Sequence, residues 1–374
     1  MSDAVRGRGT AENPADRFTE LLVERDPELP PEAPPTIVYS DASRTILSRN
    51  DSPDIPFEWS ANPYRGCEHG CVYCYARPTH EYLGLSAGLD FETKLFAKPD
   101  APELLREALA KPSWKPQVVA FSGVTDCYQP VERTLRIMRG CLEVMSETLH
   151  PTGIITKSAL VTRDVDLLQP LARAHAVLVC VTITTLDDEL AAVLEPRAAR
   201  PAKRLETIAT LASAGIPVAA MVAPVIPGLT DHEIPAILAA AAERGATHAG
   251  WQLLRLPGAV LDLFDRWLAR WRPDRREKVL HRIRELHGGA LVDSRFGSRM
   301  RGEGEWARQL ADLFRISAAK ARLQPRRYAL DASSFVRPRR TDRGAGARQL
   351  ELGFTSGPAR ARGDAPRRGG AASA

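Results

Sequence analysis

The sequence predicts an α/β fold: an open, partial (β/α)6 barrel with a C-terminal helical extension and disordered termini. Three observations predict it. Between residues 57 and 255, short apolar runs alternate with helical patterns about six times, the mark of a parallel sheet. A closed eight-unit barrel takes about 250 residues, so this stretch suits six units better than eight. The two ends differ in composition from the middle. Residues 1–36 are polar and end in ELPPEAPPT, and the chain beyond residue 335 is rich in Arg, Gly, Ala and Pro. Such segments bury too little apolar surface to fold alone. The expected organisation is a disordered segment 1–36, a barrel 37–255, a helical extension 256–334 packed on it, and a disordered basic tail 335–374.

The predicted strands are residues 57–62, 117–121, 153–157, 176–182, 217–222 and 250–254. Between the second and third, Val131, Leu135, Met138, Leu142, Met145 and Leu149 recur at steps of three and four, one face of a helix. Leu205, Ile208 and Leu211 mark another, which Gly215 stops. Asp231 and Glu233 open a further helix that runs to Arg244. In the extension, Leu261, Phe264, Trp267, Leu268 and Trp271 form one apolar face, and Trp306, Leu310, Leu313 and Phe314 a second.

The chain has 374 residues, 44% of them hydrophobic, which is ample for a core. No run approaches the roughly 18 apolar residues of a membrane span. The N-terminal MSDAVRGRGTAENPADRF lacks the apolar centre of a secretory signal. The expected setting is cytoplasmic and reducing, where clustered cysteines bind metal or do chemistry rather than form disulfides. Residues 321–374 hold twelve Arg against four acidic residues, while the whole chain carries +5. The basic character therefore belongs to the tail.

The stretch NPYRGCEHGCVYCYA, residues 62–76, places Cys67, Cys71 and Cys74 at C-x3-C-x2-C spacing, three of the chain's six cysteines. Zinc would need four ligands, usually from two cysteine pairs. No second pair follows, so His69 or His80 would have to complete such a site. A cubane iron–sulfur cluster usually takes four thiolates. Three leave one iron open to a small molecule, by the logic that separates open catalytic metal sites from closed structural ones. A loop after a barrel's first strand also lies at the C-terminal mouth, where barrels keep their active sites.

This motif, with Tyr73 before the last cysteine, resembles the cluster motif of the radical S-adenosylmethionine superfamily. The wider wording NPYRGCEHGCVYCYA resembles its spore photoproduct lyase-like (photolyase-like) branch, over about residues 57–320. The resemblance implies a [4Fe–4S] cluster on Cys67, Cys71 and Cys74, with S-adenosylmethionine chelating the open iron. It implies reductive cleavage to a 5′-deoxyadenosyl radical, fed by an external electron donor, and hydrogen abstraction from a substrate for which the branch label suggests nucleic acid and DNA repair. Tyr73 matches the aromatic whose neighbourhood packs on the adenine. A contrasting reading is a non-catalytic iron–sulfur protein that binds nucleic acid or senses redox state.

The barrel mouth should carry the cofactor's polar partners. VVAFSGVTDCYQP puts Ser122 after the second strand, GIITKSALVTRD ends its strand at Thr156, Lys157 and Ser158, and LVCVTITTLDDE places Thr182 and Thr184 at the next mouth position. The branch binds the cofactor through a serine, a lysine and a hydroxyl residue on these strands, which match Ser122, Lys157 and Thr182. Spore photoproduct lyase returns a hydrogen atom from a cysteine near its second strand. QVVAFSG has none, and Cys127, five residues on, is the alternative candidate, with Asp126, Tyr128 and Glu132 beside it. Cys141 and Cys180 fall on apolar faces and read as core. EPRAARPAKRLETI presents Glu195, Arg197 and Arg204 near the mouth, and RFGSRMRGEGEWA gathers Arg295, Arg299 and Arg301 among glycines, a pattern suited to anions. In the tail, QLELGF at 349–354 resembles the peptide with which bacterial repair and replication proteins dock on the sliding clamp, through Gln349, Leu350, Leu352 and Phe354.

Overall fold

The computed structural model describes residues 5, 7–14, 17–18, 34–325 and 329–339. Its strands are β1 (Ile37–Ser40), β2 (Leu47–Arg49), β3 (Trp59–Ala61), β4 (Tyr64–Arg65), β5 (Lys94–Ala97), β6 (Val119–Phe121), β7 (Thr152–Thr156), β8 (Val177–Thr182), β9 (Val218–Val225), β10 (His248–Leu253) and β11 (Gln324–Pro325). Its α-helices are α1 (Leu89–Thr93), α2 (Ala101–Ala110), α3 (Glu132–Leu135), α4 (Ile137–Thr148), α5 (Val165–Arg173), α6 (Asp188–Leu194), α7 (Pro201–Ser213), α8 (Ile234–Glu243), α9 (Val260–Trp271), α10 (Pro273–Leu286) and α11 (Gly304–Lys320).

The main sheet runs β11-β10-β9-β8-β7-β6-β3-β2. All neighbours from β3 to β11 are parallel, and β2 adds an antiparallel edge. The six long-spaced strands β3, β6, β7, β8, β9 and β10 are the six units that the alternation predicts. The sheet does not close, so its inner face stays accessible. Strand side chains alternate between faces. Along β8, Val177, Val179 and Val181 pack outward among the helices, while Leu178 and Cys180 pack inward with Ala219. Leu330 packs against this inner cluster, so the segment after α11 fills the inside of the sheet away from the mouth. A small sheet of β1, β5 and β4 flanks the mouth. Helices α9 and α10 bury Leu263, Phe264, Trp267 and Ile283 against Cys71, Val72 and Tyr73, which makes the extension the backing of the cysteine loop. No helix among the described residues is long and apolar enough to cross a membrane.

Three local outcomes differ from expectation. The helix predicted over 131–149 breaks at Arg136, which takes φ +55°, into α3 and α4. The buried Glu132 carboxylate accepts the Met138 and Arg139 N–H groups, satisfying the start of α4 as a cap would. Composition places residues 1–36 outside the fold, yet residues 7–14 bind its surface: the Gly9 and Thr10 N–H groups donate to Glu92, and Asn13 pairs with Asp90. Residues 336 and 337, placed in the tail by composition, bind the fold. The Val336 N–H donates to the Thr148 carbonyl, and Arg337 donates to the carbonyls of Leu109, Lys111 and Trp114. The peptide at 349–354 and the Arg/Gly-rich stretch around it lie outside the described residues.

Candidate active site

The cysteine loop leaves β4 and is held by backbone geometry. Gly66 and Gly70 adopt φ +76° and +68°, the left-handed region that glycine enters without strain. A Cβ on Gly66 would stand 2.8 Å from Leu95 and 2.9 Å from the Phe91 carbonyl. The Cys67 N–H donates to that carbonyl at 2.9 Å. Beneath the loop Arg77 is fully buried: its Nε donates to the Cys71 carbonyl at 3.0 Å, Nη1 to the Gly88 carbonyl, and Nη2 to Glu92 at 2.6 Å. One arginine thus satisfies carbonyls on two separate turns, and Glu92 neutralises it. The sequence reading missed this pair. The clue was an arginine three residues after the last cysteine with an acid fifteen residues further on.

Cys67, Cys71 and Cys74 are free thiols and all line one cavity of about 870 Å³ at the C-terminal ends of the strands. Burial pushes each thiol above its ordinary value. Thiolates there therefore require a bound cation, which deprotonates its sulfur ligands outright. Among the described residues no three His, Cys, Asp or Glu side chains converge on a single point as a mononuclear zinc site needs. Three free thiols lining one cavity, with no fourth cysteine among its lining residues, are a donor set suited to a cluster that keeps one iron open. Of the two histidines, His69 lines the cavity with Nδ1 3.4 Å from Asp126 Oδ2. His80 instead points its Nε2 at the Lys94 carbonyl, 2.8 Å away, and packs edge-on to Phe91 and Phe96.

Ser122, Lys157, Thr182 and Tyr73 line the same cavity. They arrive there from the ends of β6, β7 and β8 and from the cysteine loop. Lys157 is held from several sides. Its N–H donates to Asp126 Oδ2 at 2.8 Å, its ammonium donates to the Ala223 carbonyl at 3.3 Å, and it sits 5.8 Å from the Tyr73 ring centre. Asp126 also accepts the Thr156 hydroxyl at 2.8 Å, so this carboxylate shapes the β7 mouth.

Behind Tyr73 lies a buried network. The Tyr73 hydroxyl and the Arg204 guanidinium both donate to Glu195, and Thr184 donates to it at 2.6 Å. Lys157 Nζ lies 3.9 Å from the same carboxylate. Burial alone would raise the Glu195 carboxyl. The charges of Arg204 and Lys157, with the hydrogen bonds from Thr184 and Tyr73, outweigh it and bring it down to about 2. Arg204 takes up most of that negative charge at close range, leaving the Lys157 ammonium available to a ligand. Of the loop charges read as near the mouth, Glu195 and Arg204 are thus positioning residues under the wall, and Arg197 pairs with Glu68 at 3.0 Å.

Cys127 departs from its expected place. It is fully buried in the main core and does not line the cavity. Ser122 takes φ +69° and the chain turns back, so the Cys127 N–H donates to Ser122 Oγ at 2.8 Å and the thiol faces the helices. Burial pushes that thiol up as well. Tyr128 and Glu132 join buried hydrogen-bond networks with Asp164 and Tyr64. Of the predicted anion-binding arginines, Arg301 lines the cavity over the Trp251 ring, Arg299 pairs with Asp54 at 2.6 Å, and Arg295 pairs with Asp293. Arg255, Tyr75 and Trp251 also line the cavity and were not foreseen. The signal for Arg255 was its position immediately after the last predicted strand.

Residues 61–241 match the family described as Radical SAM superfamily. The uncharacterized protein Rv2578c of Mycobacterium tuberculosis is 37% identical over 235 residues, covering 62% of this chain and 68% of that one. The uncharacterized protein MJ0683 of Methanocaldococcus jannaschii is 30% identical over 172 residues, covering 46% and 62%. Among solved structures, spore photoproduct lyase complexed with dinucleoside spore photoproduct superimposes with a TM-score of 0.56 at 14% identity, over 77% of this chain and 81% of that one. A variant of the lyase with bound AdoMet and the dinucleoside gives 0.57 at 15%, over 79% and 82%. At this identity the likeness is one of fold.

Proposed function

This chain belongs to the radical SAM superfamily, whose members use a [4Fe–4S] cluster and S-adenosylmethionine, and on that premise we propose that it is a radical SAM enzyme acting in the cavity described above. Cys67, Cys71 and Cys74 would hold the cluster, and Tyr73, Ser122, Lys157 and Thr182 the cofactor. When bound, these groups supply reductive cleavage of S-adenosylmethionine, with an electron from an external donor, to methionine and a 5′-deoxyadenosyl radical that takes a hydrogen atom from the substrate. The chain's own part is orientation and shelter. Lys157 offers a point charge for the methionine carboxylate. Tyr73, tied through its hydroxyl to Glu195, presents a fixed ring. The cavity's apolar lining, including Ile155, Met221 and Phe314, excludes water and side reactions.

The observation that carries this reading is that three free cysteines and the Ser122–Lys157–Thr182 series, from four separate chain segments, all line one cavity. A substrate of nucleic-acid type is the finer proposal. It is supported by the fold shared with a lyase crystallised with a dinucleoside lesion. The position of Cys127 in the core argues against the hydrogen return that the lyase draws from a cysteine, so a different hydrogen source or a different net reaction is proposed here.

The test is anaerobic reconstitution with iron and sulfide, then dithionite and S-adenosylmethionine, with 5′-deoxyadenosine as the readout. Its appearance is expected. A well-formed, reducible cluster that yields none would overturn the enzyme in favour of a cluster-bearing binding or sensing protein.

A further inference from the structure

The partial barrel has an open seam. Its main sheet ends in β2 and β3 on one side and in β10 and β11 on the other, and no strand pairing joins these edges among the described residues. At the mouth, side chains span the seam instead. Asp54, between β2 and β3, accepts the Gly297 N–H at 2.6 Å and the Arg299 Nε at 2.6 Å, and the same guanidinium donates to the Ser52 hydroxyl at 2.6 Å. Gly297 and Arg299 belong to the loop that joins α10 to α11. That loop is anchored on the opposite edge, where the Leu253 N–H at the end of β10 donates to the Met300 carbonyl at 3.0 Å. Asp54, Ile55 and Phe57 from one edge and Gly297, Met300 and Arg301 from the other line the cavity that the three cysteines also line. The pair is well covered: the Asp54 side chain is 7% exposed and that of Arg299 14%.

The loop is built to move as a unit. The Glu303 N–H donates to the Leu286 carbonyl at 2.8 Å, which draws its two ends together as in an Ω-loop. Inside it, Asp293 accepts from the Ser298 hydroxyl at 2.6 Å and from Arg295 at 3.1 Å. At its start Gly288 and Gly289 take φ +65° and +99°, and among the described residues nothing stands within 4 Å of a Cβ built on either. A glycine pair in open space absorbs changes of φ and ψ at little cost.

We propose that the Asp54–Arg299 clasp is a gate across the barrel seam, whose release admits from the side a substrate that extends beyond the cavity. A strand of nucleic acid is such a substrate. The inference rests on the radical SAM reading only in calling the entrant a substrate. A β-ladder across the seam would resist opening along its whole length. The clasp's hydrogen bonds are local and are exchanged for bonds to water on release, so their net cost is small. Re-formed over a bound substrate, the clasp shelters the cavity from water.

The experiment labels the thiols of the full chain, purified without cluster or cofactor, with a bulky poly(ethylene glycol) maleimide. Mass spectrometry of the quenched protein follows each cysteine. Cys67, Cys71 and Cys74 line the cavity and report the gate, while Cys127, Cys141 and Cys180 are fully buried outside it and report unfolding. The proteins compared are the wild type, Asp54→Ala, Arg299→Gln and Arg299→Lys. The expected result is labelling of the cavity thiols about tenfold faster or more in Asp54→Ala and Arg299→Gln, with the other three thiols unchanged. Arg299→Lys should fall between, since it keeps the charge for Asp54 but not the fork that also reaches Ser52. Unchanged labelling of the cavity thiols overturns the gate. An equal rise at all six cysteines overturns it as well, because the pair then holds the whole fold and not the seam. 5′-Deoxyadenosine is assayed separately on reconstituted wild type. Product with unchanged labelling sinks the gate alone, whereas clasp-dependent labelling without product sinks the enzymatic reading alone.

Discussion

Lys157 and Glu195 are coupled through one carboxylate. The Lys157 ammonium faces Glu195 at 3.9 Å and the Ala223 carbonyl at 3.3 Å, and neither holds it as tightly as a direct ion pair would. Lys157→Ala is expected to retain the cluster and weaken S-adenosylmethionine about tenfold or more, the worth of a hydrogen bond to a charged group. Equilibrium binding to cluster-replete protein checks this, and unchanged affinity removes Lys157 from the site. Glu195 answers to pH. Its folded-state carboxyl is brought down to about 2 from an ordinary 4.5, so its stabilisation is fully present above about pH 4.5 and is lost as pH falls toward 2. Glu195→Gln should therefore cost most near neutral pH, on the order of 3 kcal/mol, because it leaves Arg204 buried without its counter-charge. Urea unfolding of both proteins at several pH values should show the gap shrinking through that window. A gap independent of pH would remove the ion pair as its cause.

The cysteine loop is an element without regular secondary structure, and it depends on its two left-handed glycines and on Arg77. Cys71→Ala removes a ligand and is expected to abolish cluster retention, read as iron per chain after anaerobic purification. Gly66→Ala removes no ligand, yet it places a methyl group against Leu95 and the Phe91 carbonyl at a φ that L-residues resist. It should lower stability by about 1–2 kcal/mol for the backbone alone, with more from the clash, and reduce iron loading while all three thiols remain titratable. Full loading at unchanged stability would show that the loop tolerates another path. The break between α3 and α4 follows the same logic at a helix: Glu132, in place of a further helical turn, satisfies the first N–H groups of α4.

Across the molecule, the described segments that flank the barrel serve as fastenings. Residues 7–14 meet Glu92 of α1, which also holds Arg77 under the cysteine loop. Leu330 enters the inner cluster of the barrel, and residues 336–337 bind the ends of α2 and α4. A chain ending at residue 328 should melt several degrees below one ending at 340, since it loses this packing and these hydrogen bonds together. Equal melting temperatures would show that the segment after α11 carries no stability.

The six-unit alternation, the cysteine spacing and the mouth positions of Ser122, Lys157 and Thr182 were legible in the sequence. Each is a local or periodic property: strand and helix periods, a motif within eight residues, the last residue of an apolar run. Tertiary structure decided what stands behind and across from those positions. Tyr73 meets Glu195 across 122 residues of chain, and no period or spacing encodes such a meeting. Composition marked residues 7–14 as unfolded because it counts apolar area, whereas this segment is held by polar contacts, its backbone N–H groups on Glu92 and Asn13 on Asp90. Cys127 left the cavity because one residue, Ser122, takes a left-handed φ and reverses the chain. Arg299 meets Asp54 across 245 residues of chain, another meeting that no period or spacing encodes.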